Sequence, residues 1–312
     1  MTITAEKYSS KNKDIWNEFI KNSKNGIFMF DRNFMDYHSD RFIDFSLMFY
    51  EEEKLIAVMP ASLHGEEIRS HGGLTYGGII CDSSMKQHRM LECFQVLKTF
   101  LKQQNIRRII YKTIPHIYHK QPAEEDLYAL FINNAKLFRR DISTTINLKT
   151  PIKMPKGRKA QISRAKREGI EIVQSDDFET FIELENKILL EHHNTKAVHS
   201  AQELKLLKSR FNNQIELWLA QLNGKIIAGT LIFIYENTVH TQYMAADETA
   251  RELGGLDLLI KTLMDKFEGE KTYFDFGIST EDGGRYLNYG LISQKEGFGG
   301  RGIVYDFYEL NL

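Results

Sequence analysis

Cysteine, proline and long apolar runs are all scarce in this sequence of 312 residues. Its two cysteines are far too few for a disulfide framework, which points to a reducing, cytoplasmic compartment. Five prolines and no low-complexity tract leave no room for a long disordered linker. The first residues lack the apolar core of a signal peptide. The longest apolar stretch, residues 226–235, has half of the roughly 20 residues that span a bilayer.

The sequence also has no excess of charge of either sign: it contains 41 basic and 42 acidic residues, and its formal net charge is -1. This balance argues against a protein whose whole surface grips DNA or an acidic membrane. The hydrophobic share of 42% is ordinary for a globular protein. At roughly 150 residues per domain, the length predicts two domains.

A repeated plan is the most informative feature that the sequence does have. Two segments, 44–63 and 215–235, each read as strand, turn, strand, with Asn223 and Gly224 at the second turn. Each is followed by a further strand, an amphipathic helix (91–105 and 256–270) and a short strand. We therefore expect an α/β protein with mixed sheets and domains at 1–148 and 149–300, with the strand-like segment 301–312 completing the first.

A helix of one charge sign is predicted between the two halves, after Pro155, and Gly169 ends it. Only Glu168 opposes its basic residues, which are Lys156, Arg158, Lys159, Arg164, Lys166 and Arg167. Two interpretations remain open: a solvated charged face, or a binding site for phosphate, pyrophosphate or RNA. Farther along, Ser200 and Glu203 fit a capping box.

Several enzyme classes leave no signature here. The sequence has no Gly-x-Ser-x-Gly elbow, no P-loop and no dinucleotide fingerprint, so hydrolase, NTPase and Rossmann oxidoreductase interpretations are not supported. His192, His193 and His199 match no zinc motif, and we expect no metal.

The doubled plan, the basic helix and the C-terminal run GLISQKEGFGGRGIVYDFYEL resemble the FemABX group and the related BioF2-like acyltransferases. Both belong to the Gcn5-related N-acetyltransferase (GNAT) superfamily. The strongest pieces of the resemblance are residues 156–172, the hairpin 222–246, the strand TYFDFGIS and the turn QKEGFG. The resemblance implies two tandem GNAT-like domains with an active cleft between or beside them.

The resemblance also implies transfer of an acyl group to an amine. FemABX members take an amino acid from aminoacyl-tRNA and attach it to a cell-wall peptide, whereas BioF2-like members are taken to use acyl-CoA. The family's charge-stabilising lysine falls on Lys295 and its acceptor-facing tyrosine on Tyr243. From spacing alone, Lys295 reads as an exposed turn lysine, so the assignment depends on the resemblance.

Two departures from the family pattern concern the substrates. The end of the first half's last strand, residues 111–115, has no carboxylate, which disfavours the cell-wall acceptor. The superfamily's pyrophosphate loop is matched only in part, by Arg251, Gly254 and Gly255, which we take as the donor-binding candidates.

The remaining candidates follow from the chemistry of acyl transfer, which needs a base, oxyanion donors and a proton for the leaving group. Strict alternation along VHTQYMAA places His240 and Gln242 on one face of a strand and Tyr243 on the other. Asp275 or Glu281 is the expected base. Further substrate-binding candidates, for an anionic acceptor, are Arg158, Arg164, His199, His240, Gln242, Ser279, Arg285 and Asn288.

Together these features predict a cytoplasmic N-acyltransferase with acyl-CoA as co-substrate. Its expected acceptor is a small molecule that is anionic and bears an amine, such as a nucleotide-linked amino sugar or a cell-envelope or polysaccharide precursor. One alternative is aminoacyl-tRNA-dependent transfer to a peptidoglycan precursor. The other is an inactive ligand-binding module.

Overall fold

The structure is a computed structural model that describes residues 2–193 and 195–312. Its helices are α1 Lys13–Asn22, α2 Arg32–Met35, α3 Gln87–Gln103, α4 Glu125–Ile132, α5 Lys156–Arg167, α6 Phe178–His193, α7 Ala201–Arg210, α8 Glu248–Leu253, α9 Gly255–Phe267 and α10 Tyr289–Glu296. Its strands are β1 Ile3–Lys7, β2 Ile43–Asp44, β3 Leu47–Glu51, β4 Lys54–Met59, β5 Ser62–His64, β6 Glu67–Arg69, β7 Ile80–Cys81, β8 Arg108–Lys112, β9 Lys136–Asn147, β10 Glu171–Ser175, β11 Ile215–Leu222, β12 Lys225–Ile234, β13 Thr238–Ala246, β14 Tyr273–Ile278, β15 Thr280–Glu281, β16 Tyr286–Leu287 and β17 Arg301–Asn311. No helix in these ranges is both long enough and apolar enough to cross a bilayer.

Unit 1 comprises the chain up to Asp141 together with Glu281–Tyr286 and Val304–Leu312. It contains a four-stranded sheet in the order β1-β3-β4-β7. A second group of strands is built on β8, which pairs antiparallel with β17 and parallel with β6. Helix α3 buries Phe94, Leu97 and Leu101 in the core, which confirms the amphipathic helix expected there.

Unit 2 comprises Ile142–Thr280 and Leu287–Ile303. Its strands follow the order β10-β11-β12-β13-β14-β9. The β11–β12 hairpin turns at Asn223 and Gly224, whose φ angles of 51° and 77° suit a tight primed turn, as predicted. Helices α5 and α9 bury their apolar faces in one core with β12 and β14.

A β-bulge in β13 determines which side chains share a face of this sheet. Leu231 is opposite Tyr243 but Ile232 is opposite Thr241, so Gln242 is an extra residue. Directly opposed residues share a face, and so do residues two apart on a regular strand. Since Phe233 is opposite His240, Tyr243 and His240 lie on the same face. The alternation predicted from the sequence is therefore wrong at this point.

Strands β13 and β14 pair only over their first residues. Their parallel register runs from Thr238 opposite Tyr273 to His240 opposite Asp275 and stops there, although both strands continue. Beyond this point β14 has a register irregularity against β9 and contains Gly277 at φ 72°. His240 and Asp275 thus lie where the two strands separate.

Candidate active site

A buried aspartate and histidine pair lies at this separation point. Asp275 is fully buried, and its Oδ2 lies 2.7 Å from Nδ1 of His240. Its Oδ1 accepts hydrogen bonds of 2.6 Å from the hydroxyls of Ser143 and Thr145. Burial raises the pKa of Asp275, but the hydrogen bonds outweigh burial and hold the pKa well below its usual range. The ionised carboxylate accepts from Nδ1–H, which leaves Nε2 as the basic nitrogen of His240.

Lys295 lies beside this pair on α10. Its side chain is buried, and Nζ donates hydrogen bonds to the carbonyls of Gly277 at 3.0 Å and Ile278 at 2.7 Å. Burial lowers the pKa of Lys295 to about 8, while the Asp275 carboxylate acts in the opposite direction. An ammonium has a third N–H, for which no acceptor exists in the described part of the chain. Lys295 is therefore a buried donor held at the end of β14, not an exposed turn lysine.

Tyr243 and His199 form a second contact on the same face. The Tyr243 hydroxyl lies 2.7 Å from Nδ1 of His199 and accepts a hydrogen bond of 3.3 Å from the His199 backbone N–H. Burial raises the pKa of Tyr243 to about 12, so its hydroxyl stays protonated. Gln242, the extra residue at the bulge, is half-buried.

Glu185 on α6 was not singled out from the sequence, yet its carboxyl is buried beside Tyr243. It is 6% exposed, and its charge contributes to the raised pKa of Tyr243. Desolvation by burial raises the pKa of Glu185 itself to about 7. A sequence signal did exist: Phe178, Phe181, Ile182 and Glu185 have the i, i+3, i+4, i+7 spacing of one helix face.

The loop after β14 supplies mainly structural contacts. Ser279 is buried, and its backbone bonds to Ile142 and Asn288, while its hydroxyl has no partner among the described residues. Asn288 caps α10 by accepting from the N–H of Leu291. Glu281 and Arg285 are exposed and belong to unit 1. Of the two expected bases, only Asp275 lies at the strand separation in unit 2.

Two of the three arginines predicted to bind an anionic acceptor, Arg158 and Arg164, are engaged within unit 2. Arg158 pairs with Asp257 in the first turn of α9, donates to the Gln294 carbonyl at 2.9 Å and lies over the Phe298 ring. Arg164 donates to the carbonyl of Glu252 at 3.0 Å. Helix α5 is thereby fixed across α8 and α9.

The resemblance to GNAT proteins predicts that the first turn of α9 holds the pyrophosphate of acyl-CoA, but the residues of this turn do not fit that group. Such binding needs open backbone N–H groups, but Gly254, Gly255 and the next residues are buried. A Cβ on Gly254 would lie 2.5 Å from the carbonyl oxygen of Gln161 on α5. Asp257 already places a negative charge in this turn. Arg251 is exposed.

No cluster of three or more His, Cys, Asp or Glu side chains suited to a metal occurs among the described residues. The side chains of His192 and His193, considered for metal binding above, lie outside the described residues.

Residues 156–286 match the family described as the Acetyltransferase (GNAT) domain. This segment is a GNAT domain. Domains of this family use acyl-CoA in general. The expected GNAT recognition is confirmed, and the expected enzyme is confirmed as an acyltransferase of GNAT type. No curated protein matches the chain.

Several solved structures share the fold of nearly the whole chain, not only of the segment that matches the GNAT family. A crystal structure of FemX is 12% identical, with a TM-score of 0.68 over 99% of this chain and 97% of that one. The L-PGS structure from Bacillus licheniformis is 14% identical, with a TM-score of 0.63 over 97% and 92% of the two chains. A tandem GNAT protein from the clavulanic acid biosynthesis pathway is 9% identical, with a TM-score of 0.53 over 99% and 98%. The expected tandem GNAT-like α/β fold is confirmed.

Proposed function

We propose that this acyltransferase joins an acyl group to a primary amine at the point where β13 and β14 separate. The observation that carries the proposal is the buried Asp275–His240 pair beside the ammonium of Lys295. Nε2 of His240 takes a proton from the amine, and Asp275 stabilises the imidazolium that results. The third N–H of Lys295 stabilises the oxyanion of the tetrahedral intermediate.

The amine, the acyl donor and His240 account for every bond and proton in the acyl-transfer step. A C–N bond forms between the amine and the acyl carbon, and the bond from that carbon to the donor's oxygen or sulfur breaks. The proton lost by the amine passes through His240 to the departing oxygen or sulfur. Tyr243, which stays protonated, positions the substrate through its hydroxyl.

The first turn of α9 is buried against α5 and does not fit the pyrophosphate of acyl-CoA. This favours an aminoacyl ester as the acyl donor. The exposed side of α5 and of the segment before it supports a polyanionic carrier such as tRNA, because its basic side chains form no ion pair with described residues. These residues are Lys153, Lys156, Lys159, Lys166 and Arg167. One similar structure is the C-terminal domain of a putative lysylphosphatidylglycerol synthetase from Agrobacterium fabrum, whose name implies transfer of an amino acid. The acceptor proposed from the sequence, an anionic small molecule with an amine, suits the same basic surface.

Isothermal titration with acetyl-CoA and with a mixed aminoacyl-tRNA pool, each at two salt concentrations, tests the donor. We expect binding of the charged tRNA that weakens steeply with salt. We also expect the double variant Lys166→Gln/Arg167→Gln to bind more weakly than a matched control, Lys102→Gln on unit 1. Micromolar, salt-insensitive binding of acetyl-CoA would restore the thioester donor, and binding of neither would favour the inactive module.

A further inference from the structure

A buried carboxyl oxygen without a hydrogen-bond partner is the feature of unit 2 that the acyl-transfer step leaves unused. Glu185 is 6% exposed, and its Oε2 is fully buried with no hydrogen-bond partner among the described residues. Such a group is costly, because a buried carboxylate is stable only when paired. Proteins rarely retain one unless something else supplies the missing charge.

The surroundings of Glu185 place it on the reacting side of the sheet. Helix α6, which carries Glu185, packs against β13, which carries Tyr243, and the charge of Glu185 raises the pKa of Tyr243. The bulge at Gln242 turns Tyr243 onto the same sheet face as His240. The carboxyl of Glu185, the hydroxyl of Tyr243 and the imidazole of His240 therefore belong to one surface of unit 2.

We propose that Glu185 binds a primary ammonium group of the substrate, with the Tyr243 hydroxyl beside it. A substrate cation supplies the charge that the carboxylate lacks and donates hydrogen bonds to the otherwise unsatisfied oxygen. An exposed glutamate would bind such a group weakly, whereas a desolvated one binds it strongly because water does not compete.

This inference rests on the proposed function and narrows its substrate class. It requires that one substrate carry a primary aliphatic amine that is protonated when it binds. Two sources share this chemistry: the α-amino group of an aminoacyl donor, and a terminal amine that an acceptor carries. An acetyl donor has neither.

Ligand-observed NMR at pH 7.5 with small probes tests the inference without any transfer reaction. L-alaninamide represents the α-ammonium beside a carbonyl, Nα-acetyl-L-lysinamide represents the terminal amine, and propionamide is the neutral control. The variant is Glu185→Gln, which keeps the shape of the side chain. The matched control is Glu183→Gln, because Glu183 is exposed on the same helix.

We expect the wild type and Glu183→Gln to bind at least one cationic probe and Glu185→Gln to bind it at least tenfold more weakly, with propionamide bound by none. Preference for alaninamide identifies the donor's amine, and preference for the lysine derivative identifies the acceptor's. Equal binding of the cationic probes by Glu185→Gln and the wild type, or no binding by either, overturns the inference. Neither of those results bears on the acyl-transfer step, which fails separately if His240→Asn keeps full transfer activity.

Discussion

Replacing Glu185 by glutamine should stabilise the protein, increasingly so as the pH rises from about 4.5 to about 7. The variant removes the charge but keeps a side chain of the same shape in the same buried position. Burial raises the pKa of Glu185 from an ordinary 4.5 to about 7. At about 1.4 kcal/mol per pH unit, this difference makes the ionised side chain cost the folded protein about 3 kcal/mol.

The direction in which the wild type's stability changes with pH depends on whether the folded or the unfolded state binds the proton of Glu185 more tightly. Because the folded-state pKa is the higher one, the folded protein binds more protons than the unfolded chain between pH 4.5 and pH 7. The wild type therefore loses stability as pH rises through this window, and the loss is complete above it. The pKa of Tyr243, which the charge of Glu185 helps to raise, is about 12, so Tyr243 stays protonated throughout this window.

Urea unfolding followed by far-UV circular dichroism measures the effect at pH 5.0 and pH 8.0. The stability of Glu185→Gln relative to the wild type should rise by about 2.5 kcal/mol between these two pH values. Glu183→Gln, on the exposed side of the same helix, should show no such change. A constant difference between Glu185→Gln and the wild type at the two pH values would mean that Glu185 is not desolvated in the folded protein.

Three further substitutions, the last with a matched control, have clear expected outcomes. Asp275→Asn deprives His240 of the carboxylate that fixes its tautomer, so the transfer rate should fall by about 10²–10⁴ without a matching change in donor affinity. Lys295→Met should lower kcat by about 10²–10³, and wild-type kcat should decline above pH 8, where the Lys295 ammonium loses its proton. Gly254→Ala places a Cβ against the backbone of α5 at φ 79° and should cost more than about 2 kcal/mol in thermal unfolding. Gly269→Ala, at φ 84° with open space around it, should cost only about 1 kcal/mol.

Local sequence signals predicted much of the secondary structure. The hairpin turn at Asn223 and the capping box between Ser200 and Glu203 both occur as expected, because each depends on residues close together in the chain. The basic helix also ends where Gly169, at φ 76°, follows its last turn. Apolar spacing likewise predicted α9.

The partners within the site could not be predicted in the same way. Asp275 and His240 were each candidates, but their pairing depends on the register between β13 and β14. The hydroxyls of Ser143 and Thr145 come from a strand more than a hundred residues away in the chain. The bulge that turns Tyr243 onto the face of His240 has no signature in a single sequence, because it depends on which residue β12 places opposite.

We propose above that unit 2 transfers an acyl group from an aminoacyl ester to an amine with His240 as the base. The most direct test follows radiolabelled amino acid from a mixed charged tRNA pool to a panel of amino sugars and lysine-containing peptides in single turnovers. The wild type should form a labelled amide, and His240→Asn should form it at least a hundredfold more slowly, with acetyl-CoA giving no product in parallel reactions. Acetyl transfer from acetyl-CoA that proceeds equally well in His240→Asn would contradict both the donor and the base.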